Sequence, residues 1–296
     1  MTNNDKTLSD SSHLYADQED IIRQALIEDV REGDHSSIAA VPYTVLGEMK
    51  LMAKDNGIVA GIDVAKMVVN QVDPAITMET FKHDGDEIRN GDLVFILRGP
   101  ARSMLTAERT LLNFMQRMSG IATQTRRYVD AVAGTGVMIL DTRKTTPNMR
   151  IFEKYAVKVG GAENHRFGLF DMIMLKDNHV DFAGGIEKAI DATQEYLKKN
   201  NLQLKVEIET RSIDEVKRVL ARGGVDRIML DNFVPTQIVE AVKLIDGKYE
   251  TEASGGITME SLREYAQTGV DYISVGALTH HIRSIDMSLK FVIHDQ

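Results

Sequence analysis

From about residue 137 onward one pattern recurs: a short apolar run, a charged or small residue, a loop, then a helical segment. The runs are Val137-Met138-Ile139-Leu140 before Asp141, Met172-Ile173-Met174-Leu175 before Lys176, and Lys205-Val206-Glu207-Ile208-Glu209. Then come Arg227-Ile228-Met229-Leu230 before Asp231, a run into Glu252-Ala253-Ser254-Gly255-Gly256, and Tyr272-Ile273-Ser274-Val275 before Gly276. The intervening segments carry helix signals. Ile186–Lys199 is amphipathic, Ser212 with Glu215 forms a capping-box signature closed by Gly223-Gly224, and Thr258 is placed to cap a helix ending before Gly269. Strand–helix alternation at this spacing predicts parallel βαβ units, and six of them predict a barrel in preference to a short open sheet, with an open doubly wound sheet as the alternative. In such folds chemistry gathers where strands end and loops begin. The residues at those ends are Asp141, Arg143, Lys144, Lys176, Glu209, Asp231, Ser254 and Gly276.

The first third lacks this regularity. Residues 18–31 predict a helix with Ile21, Ile22, Ala25 and Leu26 on one face, followed by strands near 48–53 and 93–98 with a helix at 62–71 between them. That mixture predicts a smaller α+β domain. A helical region at 104–132 would link it to the barrel, and Gly120 predicts a break that makes it two helices.

Composition narrows the function. With 44 acidic against 35 basic residues the net charge is −9, which argues against a general nucleic-acid or acidic-membrane binder. There is no cysteine, so disulfides, thiolate metal sites and cysteine nucleophiles are excluded, and a reducing compartment is expected. The N-terminal residues are polar and acidic with no apolar core, and no apolar run reaches membrane-spanning length. A cytoplasmic protein is the expectation.

Charge is unevenly spread. From Asp141 to His179 there are seven Lys or Arg against five Asp or Glu, a positive island in a negative chain that suits a small polyanion. Lys154 and Lys158 read as solvated helix lysines. Arg143, Lys144, Arg166 and Lys176 adjoin strand ends or glycines and read as binding groups, with His165 beside them. Glu209 and Asp231 end neighbouring strands. Such a pair can hold Mg²⁺, accept hydrogen bonds from sugar hydroxyls, or act as acid and base. Ser254-Gly255-Gly256 before a predicted helix reads as a backbone amide cradle for phosphate. A strand-end Lys176 is also open to Schiff-base chemistry. Together these groups fit a phosphorylated sugar meeting an acidic small molecule.

The strings A-E-R-T-L-L-N (107–113), M-S-G-I-A-T (118–123), D-T-R-K-T-T-P (141–147), N-H-R (164–166), K-D-N-H (176–179), L-D-N-F (230–233), S-G-G-I (254–257) and S-V-G-A-L-T-H (274–280) resemble the quinolinate phosphoribosyltransferase family, in order and over nearly the whole chain. The resemblance implies an N-terminal α/β sandwich over 1–117 and an open α/β barrel over 118–279, with 280–296 packing back on the first domain. It implies Mg²⁺-dependent conversion of quinolinate and phosphoribosyl pyrophosphate into nicotinate mononucleotide, pyrophosphate and CO₂. It implies at least a homodimer, with Arg109 reaching the partner's site. By position, Arg143, His165, Arg166 and Lys176, with Arg109 in trans, resemble the quinolinate set. Lys144, Glu209, Asp231 and Ser254, Gly255 and Gly256 resemble the phosphoribosyl pyrophosphate and metal set. Gly276 and His280 also match. Three places depart from the family pattern: Asn148 stands where Gly is common, Glu163 is charged, and Gly33-Asp34-His35-Ser36-Ser37 is unusual.

Overall fold

The structure is a computed structural model that describes residues 11–292. In chain order the elements are α1 (Ser11–Val30), α2 (His35–Ala40), β1 (Leu46–Ala53), β2 (Gly57–Ile58), α3 (Ile62–Val72), β3 (Thr77–Thr80), β4 (Glu87–Ile88), β5 (Leu93–Pro100) and α4 (Ala101–Ala131). There follow β6 (Met138–Leu140), α5 (Arg150–Val159), β7 (Ile173–Leu175), α6 (Asp177–Ala183), α7 (Ile186–Asn200), β8 (Val206–Thr210), α8 (Ile213–Arg222) and β9 (Arg227–Asp231). The last are α9 (Pro235–Ile245), β10 (Glu250–Ser254), α10 (Leu262–Ala266), β11 (Tyr272–Ser274), α11 (Ala277–His280) and β12 (Met287–Phe291).

These elements form two compact units. The first holds the chain up to Gln124, Thr146–Gly160 and the segment from Ile282 onward; the second holds Thr125–Thr145 and Gly161–His281. The division differs from 117/118 in two places. It falls farther along α4, and residues 146–160 with α5 group with the first unit, where Phe152 stacks against Phe114 at 4.9 Å between ring centroids. Lys154, read as solvated, is buried there, while Lys158 is exposed. The charged face of α5 is turned inward in this unit: Arg117 of α4 donates to Glu153 Oε1 at 2.6 and 2.9 Å.

The first unit carries an antiparallel sheet in the order β12-β1-β5-β3. In β1 the alternation Met49, Leu51, Ala53 is buried, as period two requires of a half-covered strand. β12 extends this sheet at β1, with Leu51 opposite Leu289. Helix α4 is continuous over 31 residues, against the expected break at Gly120. The glycine serves close packing instead. A Cβ there would lie 2.5 Å from the Arg283 carbonyl oxygen and 3.0 Å from Ser284 Cα, so the returning chain sits directly on the helix. The unusual 33–37 stretch has a local job: Asp34 caps α2 by accepting from the Ser37 amide at 3.0 Å. Asn148 adopts φ +63°, the left-handed conformation that explains a residue tolerant of positive φ where glycine would serve.

The second unit is the predicted run of parallel strands. Its six-stranded sheet has the order β6-β11-β10-β9-β8-β7. The first strand pairs with the last, as in a barrel, but β6 and β7 are the two edges and the sheet stays open between them. Among the described residues, only an isolated parallel bridge from Leu140 to Glu163 lies at that edge of β6. The cause is visible in the connectivity: α5, which joins these two strands, belongs to the other unit. Helices α7 and α8 match their sequence signals. The Ser212 hydroxyl accepts from the Glu215 amide at 3.2 Å, while the Glu215 carboxylate takes the Arg211 amide at 2.7 Å. The helix expected from Thr258 begins only at Leu262 and is 5 residues long. Residues 258–261 are spent on a turn in which the Thr258 amide donates to Ser261 Oγ at 3.1 Å. Among the described residues no helix is long and apolar enough to cross a membrane.

Gly120→Ala reverses the usual helix propensity effect. Alanine normally stabilises a helix interior, but here the overpacked contact should lower stability by about 1–3 kcal/mol. A thermal melt with unchanged or raised Tm would show that the 283–284 segment is not seated on α4.

Candidate functional site

A cavity of about 710 Å³ opens at the C-terminal ends of the second unit's strands. It is lined by Arg143, Lys144, His165, Arg166, Lys176, Glu209, Asp231, Ser254, Gly255, Gly256, Gly276 and His280, all singled out from the sequence. Arg109 is not among its lining residues; it is exposed on α4, in the first unit.

Strand order sorts these groups. Arg143 follows β6 and Lys176 follows β7, the two edges, and the His165–Arg166 loop connects them, so two guanidiniums, an ammonium and an imidazole surround the open gap. Burial, then the neighbouring Arg143 guanidinium, pushes Arg166 below its ordinary pKa. Two arginines close enough to repel each other are poised for a shared anion. Arg166 Nη1 is steadied by donating to the Met172 carbonyl at 3.1 Å. Lys176 is set at the start of α6, where its amide donates to His179 Nδ1 at 3.0 Å, which accounts for the K-D-N-H string. Its Nζ lies 3.9 Å from Glu209 and the side chain is half exposed, not the desolvated setting that a Schiff-base lysine needs.

Across the sheet, β10 and β11 supply the other wall. Gly255 has φ +92°, and a Cβ there would come within 2.3 Å of Asn232 Oδ1; Gly256 has φ +62° and nothing within 4 Å. The chain thus presents bare backbone toward the cavity. The late start of α10 means that no helix dipole adds to this cradle, in contrast to the sequence expectation. A Cβ on Gly276 would stand 2.9 Å from His280 Nε2 and 3.1 Å from Lys144 Cδ, so only glycine lets those two side chains meet there. Lys144 is fixed from behind: Thr279 Oγ1 donates to its carbonyl at 2.8 Å.

Between the walls stand Glu209 and Asp231, on the adjacent strands β8 and β9. Burial, and then the charge of Asp231, raises the Glu209 pKa; burial chiefly raises that of Asp231, offset by Asn232, which donates to it at 2.5 Å. Two crowded carboxylates with hard oxygen donors fit a Mg²⁺ ion.

Below them lie residues that the sequence reading passed over. Glu207 and Glu252 are fully buried, with Arg227 between their strands and 2.9 Å from Glu252 Oε2. His165 is 9% exposed, its Nε2 2.9 Å from Glu207 Oε2 and 3.4 Å from Glu252 Oε2. Burial opposes charge on this ring, while the two carboxylates favour it and push the pKa up. The Arg166 amide decides between them: it donates to Nδ1 at 2.7 Å, so that nitrogen keeps its lone pair and the ring is neutral with its proton on Nε2. The signal for this cluster was period two: Glu207 shares a strand face with Glu209, Arg227 with Asp231, and Glu252 with Ser254.

An open parallel sheet whose strand ends gather cations, a carboxylate pair and a glycine cradle defines an α/β protein built around small polyanions. Residues 34–119 match the quinolinate phosphoribosyl transferase N-terminal domain and residues 121–290 its C-terminal domain. The chain belongs to the quinolinate phosphoribosyltransferase family. It is 46% identical over 294 residues to quinolinate phosphoribosyltransferase [decarboxylating] 1b of Nicotiana tabacum, covering 94% of this chain and 83% of that one. It is 38% identical over 280 residues to the probable nicotinate-nucleotide pyrophosphorylase [carboxylating] of Bacillus subtilis (strain 168), covering 93% and 94%. The crystal structure of NadC from Streptococcus pyogenes superposes with a TM-score of 0.89 at 42% identity, covering 94% of this chain and 97% of that one.

The cradle can be tested with inorganic pyrophosphate by calorimetry. Gly255→Ala should weaken binding by about tenfold or more, since strain at positive φ is joined by the Asn232 clash, whereas Gly256→Ala should lose less. Equal losses would show that Asn232 does not shape the cradle.

Proposed function

We propose that this chain transfers the phosphoribosyl group of phosphoribosyl pyrophosphate to quinolinate with decarboxylation, giving nicotinate mononucleotide, pyrophosphate and CO₂. The observation that carries this reading is the segregation of the cavity. Arg143, Arg166 and Lys176 cluster with the His165 ring at the gap between β6 and β7, and the glycine cradle with Lys144 and His280 lies across the sheet, with two carboxylates between. A planar dicarboxylate and a phosphorylated sugar need such separate walls, because the protein must bring two mutually repelling anions together.

In this reading Arg143 and Arg166 grip quinolinate carboxylates through their forks, and Lys176 adds a point charge. The backbone of 254–256 and Lys144 hold the phosphates. The pyridine nitrogen attacks the anomeric carbon as the bond to pyrophosphate breaks. Glu209 and Asp231 face the positive charge that develops on the ribose. They are also the residues that would hold Mg²⁺, which when bound neutralises pyrophosphate charge. The ring nitrogen, now cationic, accepts the electron pair as the adjacent carboxylate leaves as CO₂, and a proton replaces it on carbon. The exposed position of Arg109 on α4 supports its use by a second copy, making the working enzyme at least a homodimer. A cysteine-free chain suits the reducing cytoplasm.

The test is incubation with quinolinate, phosphoribosyl pyrophosphate and Mg²⁺, following nicotinate mononucleotide and CO₂ in equal amounts. A folded sample without turnover would sink the proposal. Lys176→Ala should cost roughly a hundredfold in kcat/KM. Co-expressing Arg109→Ala with Lys176→Ala chains should return about a quarter of wild-type activity, as expected if half the dimers carry one intact shared site. No recovery would place Arg109 outside the partner's site.

A further inference from the structure

The buried cluster beneath the cavity has no part in the reaction as outlined, yet it is tied to the wall that receives the dicarboxylate. Arg227 anchors it: Nη1 lies 2.9 Å from Glu252 Oε2, Nη2 lies 2.9 Å from Glu250 Oε2, and the guanidinium sits over the Tyr272 ring at 4.1 Å. His165 closes the cluster at the top, with Nε2 reaching Glu207 and Glu252. Nε2 thus faces the two buried carboxylates and Nδ1 faces the backbone. The Arg166 amide donates to Nδ1, and the His165 amide itself donates to Asp141 Oδ1 at 2.8 Å.

His165, Glu207 and Glu252 offer three ligand atoms within 4.8 Å of one another, a spacing that also suits a divalent cation. Two contacts speak against one. An amide donating to Nδ1 needs that lone pair, so the ring proton lies on Nε2 and leaves no lone pair for a metal. A metal-bound imidazole does the reverse, donating from its free nitrogen. In addition, Arg227 already supplies a cation to Glu252.

We propose that Glu207 and Glu252 are positioning residues for quinolinate binding. Through Nε2 they lock the His165 ring, and the ring, through its Nδ1 contact with the Arg166 amide, fixes where the Arg166 side chain enters the cavity. His165 then presents a carbon edge to the dicarboxylate, and the arginines carry its charge. This rests on the proposed reaction for its ligand, but not for its geometry.

With ¹⁵N-histidine labelling, His165 of the whole protein should show Nε2 protonated and Nδ1 unprotonated near neutral pH. A protonated Nδ1, or a nitrogen shifted by bound metal, overturns the proposal whether or not the protein turns over. Glu207→Leu removes the acceptor at similar volume. It should raise KM for quinolinate by about tenfold or more while KM for phosphoribosyl pyrophosphate stays within about twofold. Glu207→Gln keeps an acceptor oxygen and should restore most of the loss. A merely structural role would lower Tm with neither KM changed, or raise both KM values together, and either result overturns the assignment. If Glu207→Leu does not fold, the wild-type tautomer alone decides. Absence of quinolinate turnover in the wild type would strike the proposed function and leave the tautomer readout intact.

Discussion

A carboxylate placed inside a parallel sheet costs several kcal/mol unless a cation meets it there. Strands β8 and β10 each put one such group, Glu207 and Glu252, in the interior with no exposure. Arg227 on the strand between them supplies the cation, and the His165 ring lies over both. The second unit's interior therefore holds a charged cluster where an ordinary barrel would have layers of branched apolar side chains. The side chains above it follow on the same strand faces, Glu209 and Ser254 two residues later and Asp231 four, so the network is the floor on which the cavity stands. Each upper group inherits its position from a buried charge below.

The opening of the sheet is the second constraint. In a closed barrel β6 and β7 would be neighbours; here the helix between them is given to the first unit, and the edge of β6 bridges to the short segment at Glu163. Asp141, with no exposure, ties that segment down by accepting from the His165 amide. The gap thereby becomes a place where Arg143, Arg166 and Lys176 can approach one another from three different connections. Repulsion between the arginines is sustained by the rigid backbone, and an anion relieves it.

Much of this was legible in the chain. Strand-end residues were readable because period-two runs stop at charged or small residues, and family-like strings marked the same positions. What was misread has common causes. Gly120 looked like a helix breaker, yet it admits the 283–284 backbone; Lys154 looked solvated, yet α5 turns its charged side inward. Both depend on contacts far along the chain, which local propensity does not contain. The Thr258 cap failed for a local reason: a Ser261 turn took up the residues that a first helical turn would need.

By itself the sequence determined the strand–helix alternation, the polarity of the strand ends and the set of groups able to bind polyanions, because these follow from short-range periodicity and residue chemistry. Only the tertiary structure decided which groups share a wall. Strand order, not chain order, brings β6 beside β11 and leaves it open toward β7, and it sets His165 over Glu207 and Glu252 from strands 42 and 87 positions away. A charge in the interior is tolerated only through such distant partners, and the identity of a partner is a property of the fold.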